Sequence, residues 1–230
     1  TGGAMTLAED RGGVSARATS YGNQITFTSE ERPALAVDGD LETAWRTGAF
    51  ADARGEHIEL SYDEPVTTDH VNLTQVTNGS RNRFITAVRL RFDGGDPVDT
   101  VLSEQSRDAP GEEVDFPERT FSTLSVEILD DNVGFVPRYA GQSSLGFAEI
   151  EVGDRPDIHE DAIRVPTDLL EAAGRDAADH PLAISLTRQR QDPTDNTRQD
   201  EEARLLRLVD LPGARSFALE GEARLYRRTP

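Results

Sequence analysis

An all-β, antiparallel fold is predicted for this chain by three observations: apolar residues alternate with period two, turn signals separate the alternating runs at short intervals, and only one short stretch has helical character. HIELSY puts Ile58, Leu60 and Tyr62 on one face, TAVRLRF puts Val88, Leu90 and Phe92 opposite Arg89 and Arg91, and LSVEI repeats this with Leu124, Val126 and Ile128. Such runs are strands with one buried and one wet face. DGGDP, Asp93 to Pro97, reads as a hairpin turn from the strand ending at Phe92 into PVDTVLS. Strands this short and this closely spaced point to a sandwich or barrel and away from a parallel α/β fold.

Residues 1–13 read as an N-terminal tail, and the strand pattern occupies 14–153. GDRPD opens a linker over 154–180 that contains one short helix, TDLLEAAG, with Asp168 placed to cap it, Glu171 three residues on and Gly174 placed to end it. From Pro181 the pattern returns in LAISLTRQR, ARLLRLVDL and ARSFALEGEARLY, about three strands of a β-rich extension or a truncated second module over 181–230.

Bulk properties exclude several classes of function. With 36% hydrophobic residues in 230, a core is possible, yet no stretch approaches the ~20 apolar residues of a membrane helix. A formal charge of −19 repels nucleic acid and anionic lipid headgroups, while neutral glycans meet no such barrier. All 24 basic residues are arginine, which removes the lysine that P-loop chemistry needs. Without cysteine there are no disulfides, thiolate metal sites or cysteine nucleophiles.

AVDGDLETAW, Ala36 to Trp45, brings Asp38, Asp40 and Thr43 together on a tight turn, and hard cations such as calcium take oxygen ligands of these kinds. EF-hand spacing is absent, because Thr43 falls where that loop has glycine and Ala49 where it has glutamate. Read by itself, the stretch is either a cation loop or an ordinary Asp-Gly turn.

DGD-x-x-T-x-W followed about a hundred residues later by GFAEIEV resembles the factor V/VIII type C family, the discoidin or galactose-binding-like domains. The resemblance implies an antiparallel jelly-roll β-sandwich with a structural calcium (Ca2+) held by Asp38, Asp40, Thr43, Glu149 and the backbone carbonyl of Ala148. The strings SYGNQITFTSEERPALAVDGDLETAWRTGAF, DEPVTTDHVNLTQ, RNRFITAVRLRFDGG and YAGQSSLGFAEIEV are further similar to the carbohydrate-binding region of actinobacterial α-(1→3)-arabinofuranosyltransferases. This implies an accessory, extracytoplasmic piece of a membrane-anchored enzyme that builds cell-wall arabinan. The catalytic domain would lie elsewhere, and the partners would be a glycan and the neighbouring domains of the full-length protein, without membrane insertion by this fragment.

Sugar recognition needs an aromatic face and fixed hydroxyl-binding groups on loops at one end of the sandwich. NGSRNRF offers Asn82, Arg83 and Phe84, NVGFVPRYAGQ offers Phe135, Arg138, Tyr139 and Gln142, and Arg46 and Phe50 follow the cation motif. The candidate carbohydrate-binding residues are therefore Arg46, Asn82, Arg83, Arg138, Tyr139 and Gln142. The competing expectation is that such arginines are solvated or paired with carboxylates. Trp45 is expected in the core beneath the cation loop. His57, His70, His159 and His180 form no HExxH, and GxSxG is absent, so no catalytic residue is assigned. The function expected is a non-catalytic carbohydrate-binding module, with a protein scaffold or a phospholipid-binding discoidin domain as alternatives.

Overall fold

The alternation in HIELSY, TAVRLRF and LSVEI becomes strand in a computed structural model that describes residues 2–22, 28, 31–49, 52–76, 83–132, 144–154, 160–186, 207–211 and 213–221. In chain order the strands are β1 Leu7–Arg11, β2 Val14–Ala18, β3 Trp45–Arg46, β4 His57–Gln75, β5 Ile85–Phe92, β6 Val98–Val101, β7 Glu112–Asp131, β8 Gly146–Val152, β9 Glu160–Arg164 and β10 Arg207–Leu208. Two short helices, α1 Asp168–Ala173 and α2 Arg175–Asp179, lie between β9 and β10. The chain divides into two units, Asp10–Asp161 and a smaller one made of Thr1–Glu9 with Ala162–Pro230.

The larger unit is an antiparallel sandwich built around β4 and β7, strands of 19 and 20 residues. They pair from His57↔Glu127 to Leu73↔Glu112, with irregularities between Ser61 and Val66 and between Thr68 and His70. These breaks change which residues face inward: Ile58 and Leu60 are buried before them, Val71 and Leu73 after them. An extra residue in a strand flips the face of all that follow and bends the strand, so one ribbon can serve two layers. Its first half joins β2, β5 and β6; its second half joins β8 and β3. The inward residues of both halves meet in one core with Val88, Leu90, Val126, Ile128, Phe147 and Ile150. The DGGDP turn joins β5 to β6 as the pattern predicts, with Asp93 and Gly94 at φ 48° and 69°.

Trp45 is fully buried, stacks on Phe147 with ring centroids 6.2 Å apart, and donates its indole N–H to the Ser20 carbonyl at 3.0 Å. It is a core residue. The strand beside it approaches so closely that a Cβ on Gly146 would sit 1.9 Å from the Trp45 carbonyl oxygen. Gly146→Ala is therefore expected to destabilise the sandwich by about 3 kcal/mol or more, read by denaturant unfolding; a change below about 1 kcal/mol would show that β3 is free to move away.

In the smaller unit β1, β9 and β10 form a three-stranded sheet, in which β10 runs parallel to β9. The N-terminal residues are thus not a loose tail. Arg164 on β9 ion-pairs with Glu9 of β1 and with Asp210, and Gly3 accepts a hydrogen bond from the Thr167 amide at 2.7 Å. The linker region contributes a strand and a second helix. Of the three runs the alternation names, ARLLRLVDL supplies β10; residues 181–186 and 213–221 are not strand, and most of the remainder lies outside the described residues. The helix cap moves by one residue, to Thr167, whose hydroxyl donates to Glu171 at 2.8 Å; Gly174 ends α1 at φ 55°, as expected.

Candidate functional site

The cation motif folds as a turn that follows a buried 3-10 segment, Pro33–Ala36. Gly39 takes φ 72°, and the Asp40 amide donates to Asp38 Oδ1 at 3.0 Å. Thr43 Oγ1 lies 2.9 and 3.0 Å from the two Asp38 carboxylate oxygens and 2.8 Å from the Asp40 carbonyl. Glu149 Oε2 accepts from the Gly39 amide at 3.0 Å, so β8 reaches this turn across 110 residues of sequence. Asp38, Thr43 and Glu149 are brought together. Asp40 contributes its backbone carbonyl, while its carboxylate Oδ1 accepts from the Glu42 amide at 3.0 Å. Ala148 falls at a break in the β4–β8 ladder, between Thr74↔Glu149 and Gln75↔Phe147.

Electrostatics make this turn unusual. Asp38 and Glu149 are both buried, at 7% and 5% exposure. Burial, and then the neighbouring Asp38 carboxylate, push the Glu149 carboxyl up to about 8. The single Thr43 proton cannot serve three oxygens at once. Oxygen atoms gathered at this spacing around two like charges fit a hard cation that takes carboxylate, hydroxyl and carbonyl ligands together. Among the described residues no three His, Cys, Asp or Glu side chains form a metal-holding group, so such a site would depend on the hydroxyl and carbonyls as well.

Three residues along β8 from Glu149, the strand ends of one edge of the sandwich are cross-locked. Gln75 substitutes for a peptide group: its side-chain amide donates to the Ile85 carbonyl at 2.9 Å and its Oε1 accepts from the Ile85 amide at 2.7 Å. Phe84 and Asn132 exchange hydrogen bonds, both 3.0 Å. Arg83 ion-pairs with Asp131. These contacts tie the stem of the connection before β5 to the stem of the connection after β7. Thr47 joins from the third side, donating its amide to Leu145 at 2.8 Å.

The candidate sugar residues divide accordingly. Arg46 lies at this end, opposite Gly146, with its Nε 3.5 Å from Glu31 Oε1. Arg83 is corrected: at 1% exposure its guanidinium is an internal brace and not a surface contact. The reason is Asp131, a carboxylate 48 residues away that no local pattern joins to it. Phe84 is half-buried under the Arg107 guanidinium, 4.2 Å from the ring centroid. Asn82, Arg138, Tyr139 and Gln142, with Phe50 and Phe135, lie outside the described residues. Asp52 and Arg54 pair at the same end, and the Arg54 hydrogen bond holds the Asp52 carboxyl down at about 2.

Sequence reasoning passed over Tyr21, which the structure leaves 51% exposed beside Arg46, and Glu31, which it buries. The signal for Tyr21 is its place before a glycine between two strands, and that signal is weak. A separate groove of about 360 Å³ crosses the outer face of the second layer, lined by His70, Asn72, Gln105, Glu113, Glu151 and Asp154 among others. A hydrogen bond to Asp69 raises the His70 pKa there. The groove offers acceptors and no phenyl, phenol or indole ring.

No family model matches the chain. An alpha-(1->3)-arabinofuranosyltransferase of Mycobacterium tuberculosis (strain ATCC 25618 / H37Rv) is 34% identical over 111 residues, 44% of this chain and 7% of that protein. The cryo-EM structure of the arabinofuranosyltransferase AftD from mycobacteria superposes on 70% of this chain and 12% of its own with TM-score 0.54 and 17% identity. The chain spans a small fraction of either relative. It resembles the Mycobacterium tuberculosis protein in sequence over that stretch and shares the fold of the part of AftD on which it superposes.

Proposed function

We propose that the sandwich, Asp10–Asp161, is a non-catalytic carbohydrate-binding module braced by calcium, which holds cell-wall arabinan or a related neutral glycan near an extracytoplasmic arabinofuranosyltransferase. The observation that carries this reading is the cross-locked loop end, where Gln75, Arg83, Phe84, Asp131 and Asn132 fix the stems of two connections against each other. Recognition loops need such rigid mounting, because a mobile loop loses conformational freedom on binding. The likeness to the arabinofuranosyltransferase supports the glycan assignment. A net charge of −19 favours a neutral ligand over an anionic lipid.

In this role calcium supplies charge neutralisation to ligands otherwise buried unfavourably. Asp38, Thr43 and Glu149 would hold it by side chain and Asp40 and Ala148 by carbonyl. The brace clips the turn after the Pro33–Ala36 segment to β8, and Arg46 is one residue beyond Trp45 on the same stretch. Binding acts by tethering: a module that retains glycan raises its local concentration without chemistry of its own. Isothermal titration with an arabinan oligosaccharide in calcium buffer is expected to give saturable heat with a dissociation constant of about 1 mM or tighter. No heat and no thermal stabilisation at several millimolar ligand would leave the scaffold reading in its place.

A further inference from the structure

We infer that His70 is a proton-operated clasp: as imidazolium it holds both Asp69, at the second irregularity of β4, and Asp154, in the turn that ends β8, and as neutral imidazole it releases Asp154. The inference is independent of the sugar reading.

The backbone sets the imidazole in place. β4 and β7 lose register between Thr68 and His70, so Asp69 lies within the break. The Thr68 hydroxyl donates to the His70 carbonyl at 3.2 Å and accepts from the His70 amide at 3.3 Å. The Gly153 amide donates to the same carbonyl at 3.2 Å, which brings the turn after β8 against the strand. That approach uses a glycine: Gly153 takes φ 68°, and a Cβ there would lie 3.0 Å from Thr68 Oγ1.

Both ring nitrogens then face carboxylate oxygens. Nδ1 lies 2.8 Å from Asp69 Oδ1, and Nε2 lies 3.7 Å from Asp154 Oδ1. A neutral imidazole has one N–H and one lone pair, so when Nδ1–H is donated to Asp69 the lone pair of Nε2 confronts the Asp154 carboxylate. Imidazolium offers a donor to each. The surroundings favour it as well. β7 sets Asp115 opposite His70 in the ladder, and Glu113 and Glu118 line the two cavities, of about 360 and 520 Å³, that share His70. β8 and its turn add Glu151 and Asp154, and no arginine is among the described residues lining either cavity. The Asp69 hydrogen bond, opposed by burial and aided by Glu113 and Asp154, raises the His70 pKa above its ordinary value.

A group whose pKa rises on folding stabilises the fold fully below its unfolded value, here about 6.5, and that contribution is lost as pH rises through the folded one. The clasp is therefore closed in mildly acidic surroundings and open in alkaline ones. Asp69 and Asp154 stand largely in water, at 64% and 98% side-chain exposure, so the expected effect is a few-fold change.

NMR titration of the His70 ring protons and amide hydrogen exchange, both on the whole chain with calcium in excess, test this. The His70 midpoint is expected above about 6.5, and Asp69→Asn and Asp154→Asn are each expected to lower it. Exchange protection of the Gly153 amide, corrected for the intrinsic rate, is expected to fall about threefold from pH 6 to pH 8.5 in the wild type. His70→Gln keeps every other pH-dependent contribution and is expected to show less than half of that fall. A midpoint at or below about 6.5, or one that Asp154→Asn leaves unmoved, overturns the clasp. So does a Gly153 protection profile that is the same in the wild type and in His70→Gln.

Discussion

Chelating calcium is expected to lower the melting temperature of the sandwich by about 5–10 °C, and the loss is expected to grow between about pH 6 and pH 9. A ligand bound only by the folded state at a hundredfold excess over its dissociation constant adds about 2.7 kcal/mol, and a domain of this size shifts by about 2–4 °C per kcal/mol. The pH dependence follows from Glu149, whose carboxyl is pushed up to about 8 by burial and by Asp38 in the metal-free protein. A carboxyl raised above its unfolded value stabilises the fold fully below that ordinary value, and the contribution is lost as pH rises through about 8. The chelated protein should therefore become less stable as the solution becomes alkaline. Calcium offsets most of this trend, because it binds the ionised carboxylate and releases the proton.

Glu149→Gln separates the two effects. Without calcium this variant is expected to melt above the wild type at about pH 9, since no charge is buried beside Asp38. With calcium it is expected to melt below it. Thermal melts of both proteins with calcium or chelator, at three pH values, provide the comparison. Chelator-insensitive melting of the wild type would return AVDGDLETAW to an ordinary turn.

Arg83→Ala is expected to destabilise the sandwich by about 3–5 kcal/mol, because it leaves Asp131 charged in a position 6% exposed. The double variant Arg83→Met with Asp131→Leu is expected to recover most of that stability, since apolar residues of similar volume often replace a buried ion pair at little cost. Glycan binding should not recover with it. The pair fixes the direction in which two connections leave the core, whereas apolar packing supplies stability without that direction. Denaturant unfolding gives the first quantity and isothermal titration the second. If Arg83→Ala loses less than about 1 kcal/mol, the pair is not a brace.

The strand faces were legible because burial in a two-layered sheet imposes period two, as at Val88, Leu90 and Phe92. The places where β4 changes face were not, because YDEPVTTDH is polar and carries no alternation from which an extra residue could be counted. Asp38 and Thr43 were legible from local turn chemistry. Their partner Glu149 was reached only through resemblance, since nothing local ties residues 110 apart. Arg83 was misread for the same physical reason: an arginine in a polar string looks solvated until a distant Asp131 is folded against it. The strand LAEDR escaped notice because it is short and charged, and its pairing partner lies at Glu160–Arg164.

The ribbon of β4 and β7 also sets how the sandwich opens. Since each of these strands runs through both layers, neither layer can detach while the other stays paired. Amide protons of Leu60 and Leu124 in the first layer should exchange with solvent at the same slow rate as those of Leu73 and Ile150 in the second, all four requiring one global opening. The sandwich would then resist proteases as a single unit, intact or wholly lost.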